Sequence, residues 1–190
     1  MRWRRSAQEA ASVLQSLPGR RVVLEPLVPS HFRAWQEVRR RNEEWLVPWE
    51  PRKVPGIPDV VESLDAFTMR CRARERERQL GTGFGYGIFL SGRLVGEINL
   101  SSVQRGPFQS AYVGYWVDRA YAGQALVPEA LVVIMQFAFE QLRLHRLQVS
   151  IIPRNQRSRR VVEKLKLREE GVALRYLEIN GVWEDHVRYA

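Results

Sequence analysis

Apolar positions along the chain switch between a period of two and a period near 3.6, and the switches predict the element order. Residues 21–27 read as a strand, and Ser30 then caps a helix to about residue 41 with Phe32, Trp35 and Val38 on one face. A loop follows from Asn42 to Pro58, carrying Trp45, Trp49 and several prolines. Leu64, Phe67, Met69 and Cys71 mark a second helix over about residues 60–79, whose alternating Arg and Glu read as a solvated face. Strands over 84–90 and 94–100 meet at Ser91-Gly92, a hairpin turn signal. A strand over 111–117 then runs through a tight turn bearing Gly123 into a long apolar helix reaching about residue 142. Its polar stripe is narrow, so most of its surface is expected to pack on a sheet. Residues 147–152 read as a buried strand, and Asn155 caps a helix to about residue 166. Two strands, 172–179 and 182–189, close around Asn180-Gly181, the strongest short hairpin signal. The order predicts a mixed α/β (α+β) domain, one sheet with helices on both faces. Residues 1–20 read as a short basic helix, an extension ahead of a single domain over 21–190.

Composition narrows the chemistry. The net charge is +9 and the excess is mostly arginine, the better partner for phosphates and carboxylates. That balance suits a solvated basic surface, a polyanionic cofactor, an acidic protein substrate or RNA. One cysteine, Cys71, excludes an internal disulfide and suits a reducing compartment; with no histidine near it in sequence it is a poor nucleophile candidate. His31, His145 and His186 lack metal-ligand spacing, so no metal is expected. No apolar run is long enough to span a membrane and no signal peptide is legible, which makes the cytoplasm the expected location.

The most informative stretch joins the strand at Tyr112-Val-Gly-Tyr-Trp-Val-Asp118 to the long helix through Gly123. N–H groups at a helix start lack intrahelical partners, and the dipole adds roughly half a positive charge there, so the turn is a candidate phosphate cradle. With Gly123 and Ala125 opening that helix, the order resembles the GCN5-related N-acetyltransferases over nearly the whole chain after residue 20. The family's Gln/Arg-x-x-Gly-x-Gly/Ala pattern falls on Ala120-Tyr-Ala-Gly-Gln-Ala125, matching at its last two key positions, with Arg119 displaced by one residue. A second segment agrees with the family at Asn155, Ser158, Glu163, Lys164 and Leu165; Lys166 replaces the usual Gly and Leu167 the usual Phe. Trp45-Leu-Val-Pro-Trp-Glu-Pro51 and Gly114-Tyr-Trp-Val-Asp118 look most like the RimJ/RimL branch, whose members acetylate N-terminal amino groups of ribosomal proteins.

The resemblance implies a mostly antiparallel sheet, acetyl-CoA as donor, and a pyrophosphate seated on the N–H groups of Ala122, Gly123, Gln124, Ala125 and Leu126. It also implies that the strand near Trp116 and Val117 splays from its neighbour and offers its backbone to the cofactor arm, with Asn155 reaching the same arm. Many family members use a tyrosine just before the Glu-Lys-Leu segment; Val162 stands there, and Ser158 is the nearest hydroxyl to the leaving thiolate. Glu97, a carboxylate amid apolar residues on a central strand, is the candidate base, and equally a partner for an arginine. Trp45, Trp49 and Tyr115 are candidate walls of the acceptor pocket. The expected acceptor is a protein N-terminus, with a small amine such as an antibiotic or polyamine as the alternative. A non-catalytic module that senses CoA or contacts a ribosomal RNA surface is the third reading. Both monomer and homodimer remain open.

Overall fold

The computed structural model describes residues 16–190. The strands are β1 (Leu17–Pro18), β2 (Val22–Glu25), β3 (Phe84–Leu90), β4 (Arg93–Gln104), β5 (Ser110–Val117), β6 (Arg146–Ile151), β7 (Glu169–Ile179) and β8 (Val182–Tyr189). They form one eight-stranded sheet in the order β1-β2-β3-β4-β5-β6-β8-β7. Every neighbouring pair is antiparallel except β5 with β6. The helices are α1 (Phe32–Arg41), α2 (Glu43–Leu46), α3 (Leu64–Leu80), α4 (Leu126–Gln136) and α5 (Gln156–Lys164).

Helices cover both faces, as alternating burial requires. On one face Trp35 of α1 and Phe67 of α3 pack with Phe89 and Leu94. On the other, Leu126, Leu131 and Ile134 of α4 pack against Ile98, Leu100 and Val113. The mostly apolar α4 thus buries the broad face its narrow polar stripe implied. Among the described residues, no helix is long and apolar enough to cross a membrane.

Local chemistry sets the element ends. Ser63 caps α3 by accepting from the Ala66 N–H at 3.2 Å, and Gly81 ends it at φ 69°. The expected start near residue 60 moves to Leu64 because Asp59 holds residues 60–62 in a turn, its carbonyl accepting from the N–H groups of Glu62 and Ser63 at 3.1 Å. Ser91-Gly92 and Asn180-Gly181 both take positive φ at both residues, the backbone that tight hairpins need. The expected single long helix instead ends as α4 at Gln136 and continues through one wider π turn, Phe137–Gln141. The expected helix over residues 1–20 lies outside the described residues up to 15; Leu17–Pro18 is strand, and Leu17 is buried in the main core. The sheet therefore begins ahead of the expected boundary at residue 20.

Candidate active site

The sheet opens at its one parallel pair. β5 meets β6 only at Ser110, Ala111 and Tyr112, opposite Arg146, Leu147 and Gln148. Beyond that point β6 pairs only with β8, through Val149, Ser150 and Ile151, while β5 stays paired with β4 up to Val117. The upper half of β5 thus has one free edge facing a gap. Asp118 N–H donates toward β4, to the Val95 carbonyl at 2.8 Å. Alternation along the strand then turns the N–H groups of Tyr115 and Val117 into the gap, while that of Val113 closes the last rung of the parallel pair, Tyr112 opposite Gln148. Trp116 is corrected by the same alternation: its backbone points at β4. Val117 lies on the gap, but its carbonyl already accepts the Trp45 indole N–H at 3.0 Å.

The end of β5 is held by groups that periodicity did not reveal. Asp118 is buried and accepts from Arg41 at 2.6 and 3.1 Å, from Asn42 Nδ2 at 2.9 Å and from the Ala120 N–H at 3.1 Å. Asn42 Oδ1 accepts the Arg119 N–H at 2.8 Å. Burial pushes the Asp118 carboxyl up, but these donors outweigh it and hold the group below its ordinary range. Gly96 is required opposite: a Cβ there would stand 2.3 Å from the Trp116 carbonyl oxygen. The only sequence signal was a carboxylate placed directly after an apolar strand.

Past Asp118 the chain makes the turn that begins α4. Gly123 takes φ 81° and Ala125 φ 59°, and a Cβ at Gly123 would meet nothing within 4 Å. Ala122 donates its N–H to the Arg119 carbonyl at 3.1 Å, which removes one expected cradle donor. The N–H groups of Gly123, Gln124, Ala125, Leu126 and Val127 precede the first intrahelical donor, Glu129, whose N–H reaches the Ala125 carbonyl. N–H groups at a helix start lack intrahelical acceptors, so this run of donors is suited to an anion. Glu129 fixes this helix start to β2, accepting the N–H groups of Arg21 at 2.5 Å and Val22 at 3.0 Å.

Across the gap stands α5. Asn155 caps it, accepting the Ser158 N–H at 3.1 Å, as its capping role predicts. Ser158 Oγ lies 3.0 Å from the Tyr115 hydroxyl, which also reaches the Ser158 carbonyl at 3.2 Å. Tyr115, expected as a wall of the acceptor pocket, spans the gap and joins β5 to α5. Burial pushes its phenol up to about 12, with the Ser158 hydrogen bond opposing, so the hydroxyl stays protonated at neutral pH. Lys166 takes φ 57°, the left-handed position that glycine fills in the resembling family.

Aromatic and basic groups ring the mouth. Arg157 lies over Trp45 at 4.4 Å, Arg119 over the same ring at 5.8 Å, and Arg154 over Trp49 at 4.8 Å. The Asn180 N–H donates to the Glu50 carbonyl at 2.8 Å, tying the tryptophan loop to the β7–β8 hairpin. Trp45, Tyr115, Val117, Asn155 and Ser158 are therefore brought together, with Trp49 at the rim.

Glu97 is not among them. Its side chain shares a sheet face with Trp116, opposite to Tyr115, and is buried. Oε1 accepts the Trp35 indole at 2.6 Å and the Trp116 indole at 3.2 Å, and Oε2 pairs with Arg70. A buried carboxylate needs such partners, and with both oxygens engaged it is a structural ion pair on the far side of the sheet from Ser158. Cys71 is buried nearby, where burial pushes its thiol up despite the adjacent Arg70, so no reactive thiolate forms.

The site belongs to a mixed α/β domain whose sheet splits at its one parallel pair, beside the start of a long apolar helix. Residues 21–168 match the acetyltransferase (GNAT) domain model, and the chain belongs to that family. Among curated relatives it is 42% identical over 102 residues to a probable N-acetyltransferase YjcK of Bacillus subtilis, covering 53% of this chain and 56% of that protein. It is 35% identical over 94 residues to the ribosomal protein uS5-alanine N-acetyltransferase of Escherichia coli, covering 50% and 48%. The chain thus spans about half the length of these curated relatives. The structure of Mycobacterium smegmatis RimJ in complex with CoA-disulfide superposes with a TM-score of 0.85 at 30% identity, covering 93% of this chain and 86% of that one.

Proposed function

We propose that this chain transfers an acetyl group from acetyl-CoA to a primary amine, foremost the N-terminal amino group of a ribosomal protein. The observation that carries the reading is the half-paired β5 edge, with the α4 donor run at one end and the Tyr115–Ser158 bridge across it. The donor run and the open space above Gly123 fit a phosphate-bearing group, and the free N–H groups of β5 fit an amide-bearing arm laid along a strand. The relatives' names support the same chemistry: one acts on ribosomal protein uS5, and the M. smegmatis protein was solved with a CoA disulfide.

In this reading acetyl-CoA supplies the activated acyl group as a thioester. Gly123 to Val127 hold its phosphates, and Tyr115 and Val117 align its amide arm. The acceptor nitrogen forms the new C–N bond as the C–S bond breaks. Ser158 Oγ, held by the protonated Tyr115, gives its proton to the departing sulfur and recovers one through that phenol from water. The amine proton leaves to solvent at the mouth, since both Glu97 oxygens are engaged on the opposite face of the sheet from Tyr115. Asn155 sets the position of Ser158 by fixing the first turn of α5.

The arginines over Trp45 favour a peptide amine over a polycation. A spermidine or aminoglycoside would meet Arg119 and Arg157 at the rim, a like-charge approach, with Arg154 neutralised by Glu184 at 2.5 Å. The test is thiol release from acetyl-CoA with alanine-initiated peptides against spermidine and an aminoglycoside. Faster release with the peptides supports the reading; release with only the polycations, or none at all, sinks it. Tyr115→Phe and Ser158→Ala should each lower kcat by about a hundredfold with the acetyl-CoA Kd nearly unchanged. Equal losses in kcat and affinity would make the pair structural.

A further inference from the structure

One glycine of the sheet has no local reason to be glycine. Gly114 lies in the interior of β5, where a missing side chain weakens a strand. Every other glycine either takes a positive φ or stands where a Cβ would meet an atom at 2.9 Å or less. Gly114 does neither: its φ is not positive, and a Cβ there would meet nothing within 4 Å. It is also the only exposed residue of β5, although β5 is a central strand with a neighbour on each side. A side chain would thus harm nothing in the fold, and its absence keeps a space open to solvent, as where a ligand comes close to a strand.

Alternation fixes where that space lies. Asn99 and Glu97 of β4 oppose Gly114 and Trp116, so Gly114 shares a face with Glu97 and Trp116, the face covered by α1 and α3. The Tyr115 side chain and its partner Ser158 lie on the other face. Tyr112 and Trp116 flank the vacancy, each two residues and roughly 7 Å away along the strand, so it is one side chain wide. Across the split, β6 turns Gln148 and Ser150 to the same face, with Gln148 Nε2 donating to Ser150 Oγ at 3.1 Å. Tyr176 of β7 stands over these residues. Burial pushes its phenol up, Tyr112 adds to the rise, and Arg188 and Ser150 oppose it; its ring meets His186 edge-on at 5.7 Å. The walls therefore carry hydroxyl and amide groups, which can both donate to and accept from a peptide backbone.

We propose that Gly114 is a specificity-determining position, its vacancy receiving the side chain of the acceptor's first residue. The inference rests on the proposed acetyl transfer. The departing sulfur must reach Ser158 on the α5 face, which leaves the Gly114 face of the split to the incoming amine. An extended peptide that brings its amine there carries its first side chain beside the bare strand. The width of one missing side chain admits glycine, alanine or serine and turns leucine away.

The experiment is thiol release from acetyl-CoA with four peptides that differ only in their first residue: glycine, alanine, serine or leucine. The parent should prefer the three small residues to leucine by about tenfold or more in kcat/KM, the scale of a methylene or two in a fitted pocket. Gly114→Ala should keep the glycine peptide within about twofold and lose about tenfold on alanine and serine. Gly114→Val should lose all four. Both variants should bind acetyl-CoA as the parent does and unfold at or above its Tm, because a side chain at an unstrained strand position favours the fold. A fall in acetyl-CoA affinity would assign the vacancy to the donor, and an unchanged peptide preference in Gly114→Ala would leave it without a selecting role; either result overturns the proposal. A parent that releases no thiol with any peptide sinks the acetyl-transfer reading itself, whereas a parent equally active on all four sinks this inference alone.

Discussion

At the scale of single residues, eight described non-glycine positions hold a positive φ, and two of them, Lys166 and Ala125, flank the helices of the candidate site. Lys166 occupies the left-handed region at φ 57°, where its N–H donates to Glu163 and the Leu167 N–H to Val162 to close the end of α5. A side chain there costs roughly 1–2 kcal/mol, partly offset by glycine's greater unfolded-state freedom. Lys166→Gly should therefore raise stability by about 0.5 kcal/mol in urea titration, and a loss would show that the lysine makes a compensating contact. Ala125 is the second case, at φ 59° immediately before α4. The family resemblance made both positions legible, because glycine or a small residue is usual at each. The Tyr115–Ser158 contact was not legible: the two are 43 residues apart, and nothing local to either hydroxyl points to the other.

At the scale of elements, the sequence carries what depends on neighbours along the chain. Both hairpins follow from Ser91-Gly92 and Asn180-Gly181, and α4 follows from its apolar face. What it does not carry is pairing decided by distant elements: where β5 leaves β6, or that Glu97 turns to Arg70 and two tryptophans. A buried carboxylate on a strand reads as a base or as an ion pair alike until its partners are placed. The tie between α1 and β5 is the clearest such case, since Asp118 gathers Arg41 and Asn42 from across the sheet. Asp118→Asn should cost about 2 kcal/mol by urea titration, the worth of charge-assisted hydrogen bonds. The pH sign is set by the lowered carboxyl. The stability it contributes is present above its unfolded-state pKa and is lost as pH falls through the lower folded value. Parent and Asp118→Asn proteins should therefore converge in stability in the acid range and diverge on approach to neutrality; a constant difference would assign the loss to packing.

At the scale of the whole molecule, a charge of +9 and an arginine-rimmed mouth act on the same ligands as the donor run at α4. Long-range attraction favours anionic partners in encounter and fades as salt shortens its reach, to about 8 Å near physiological ionic strength. The backbone donors at Gly123 to Val127 act at contact distance and are screened far less. Binding of acetyl-CoA should thus weaken moderately between low and physiological salt and retain a salt-resistant part. At a hundredfold excess over Kd, binding adds about 2.7 kcal/mol to folding, which for a chain of this size raises Tm by roughly 5–10 °C. Gly123→Val should remove that shift at matched ligand concentration, because its side chain enters the open space beside the donors and its backbone must hold φ 81°. The salt dependence distinguishes the two sources of affinity. If the cradle dominates, Gly123→Val loses the shift at every ionic strength; a shift that survives in this variant at low salt would assign the affinity to the arginine rim.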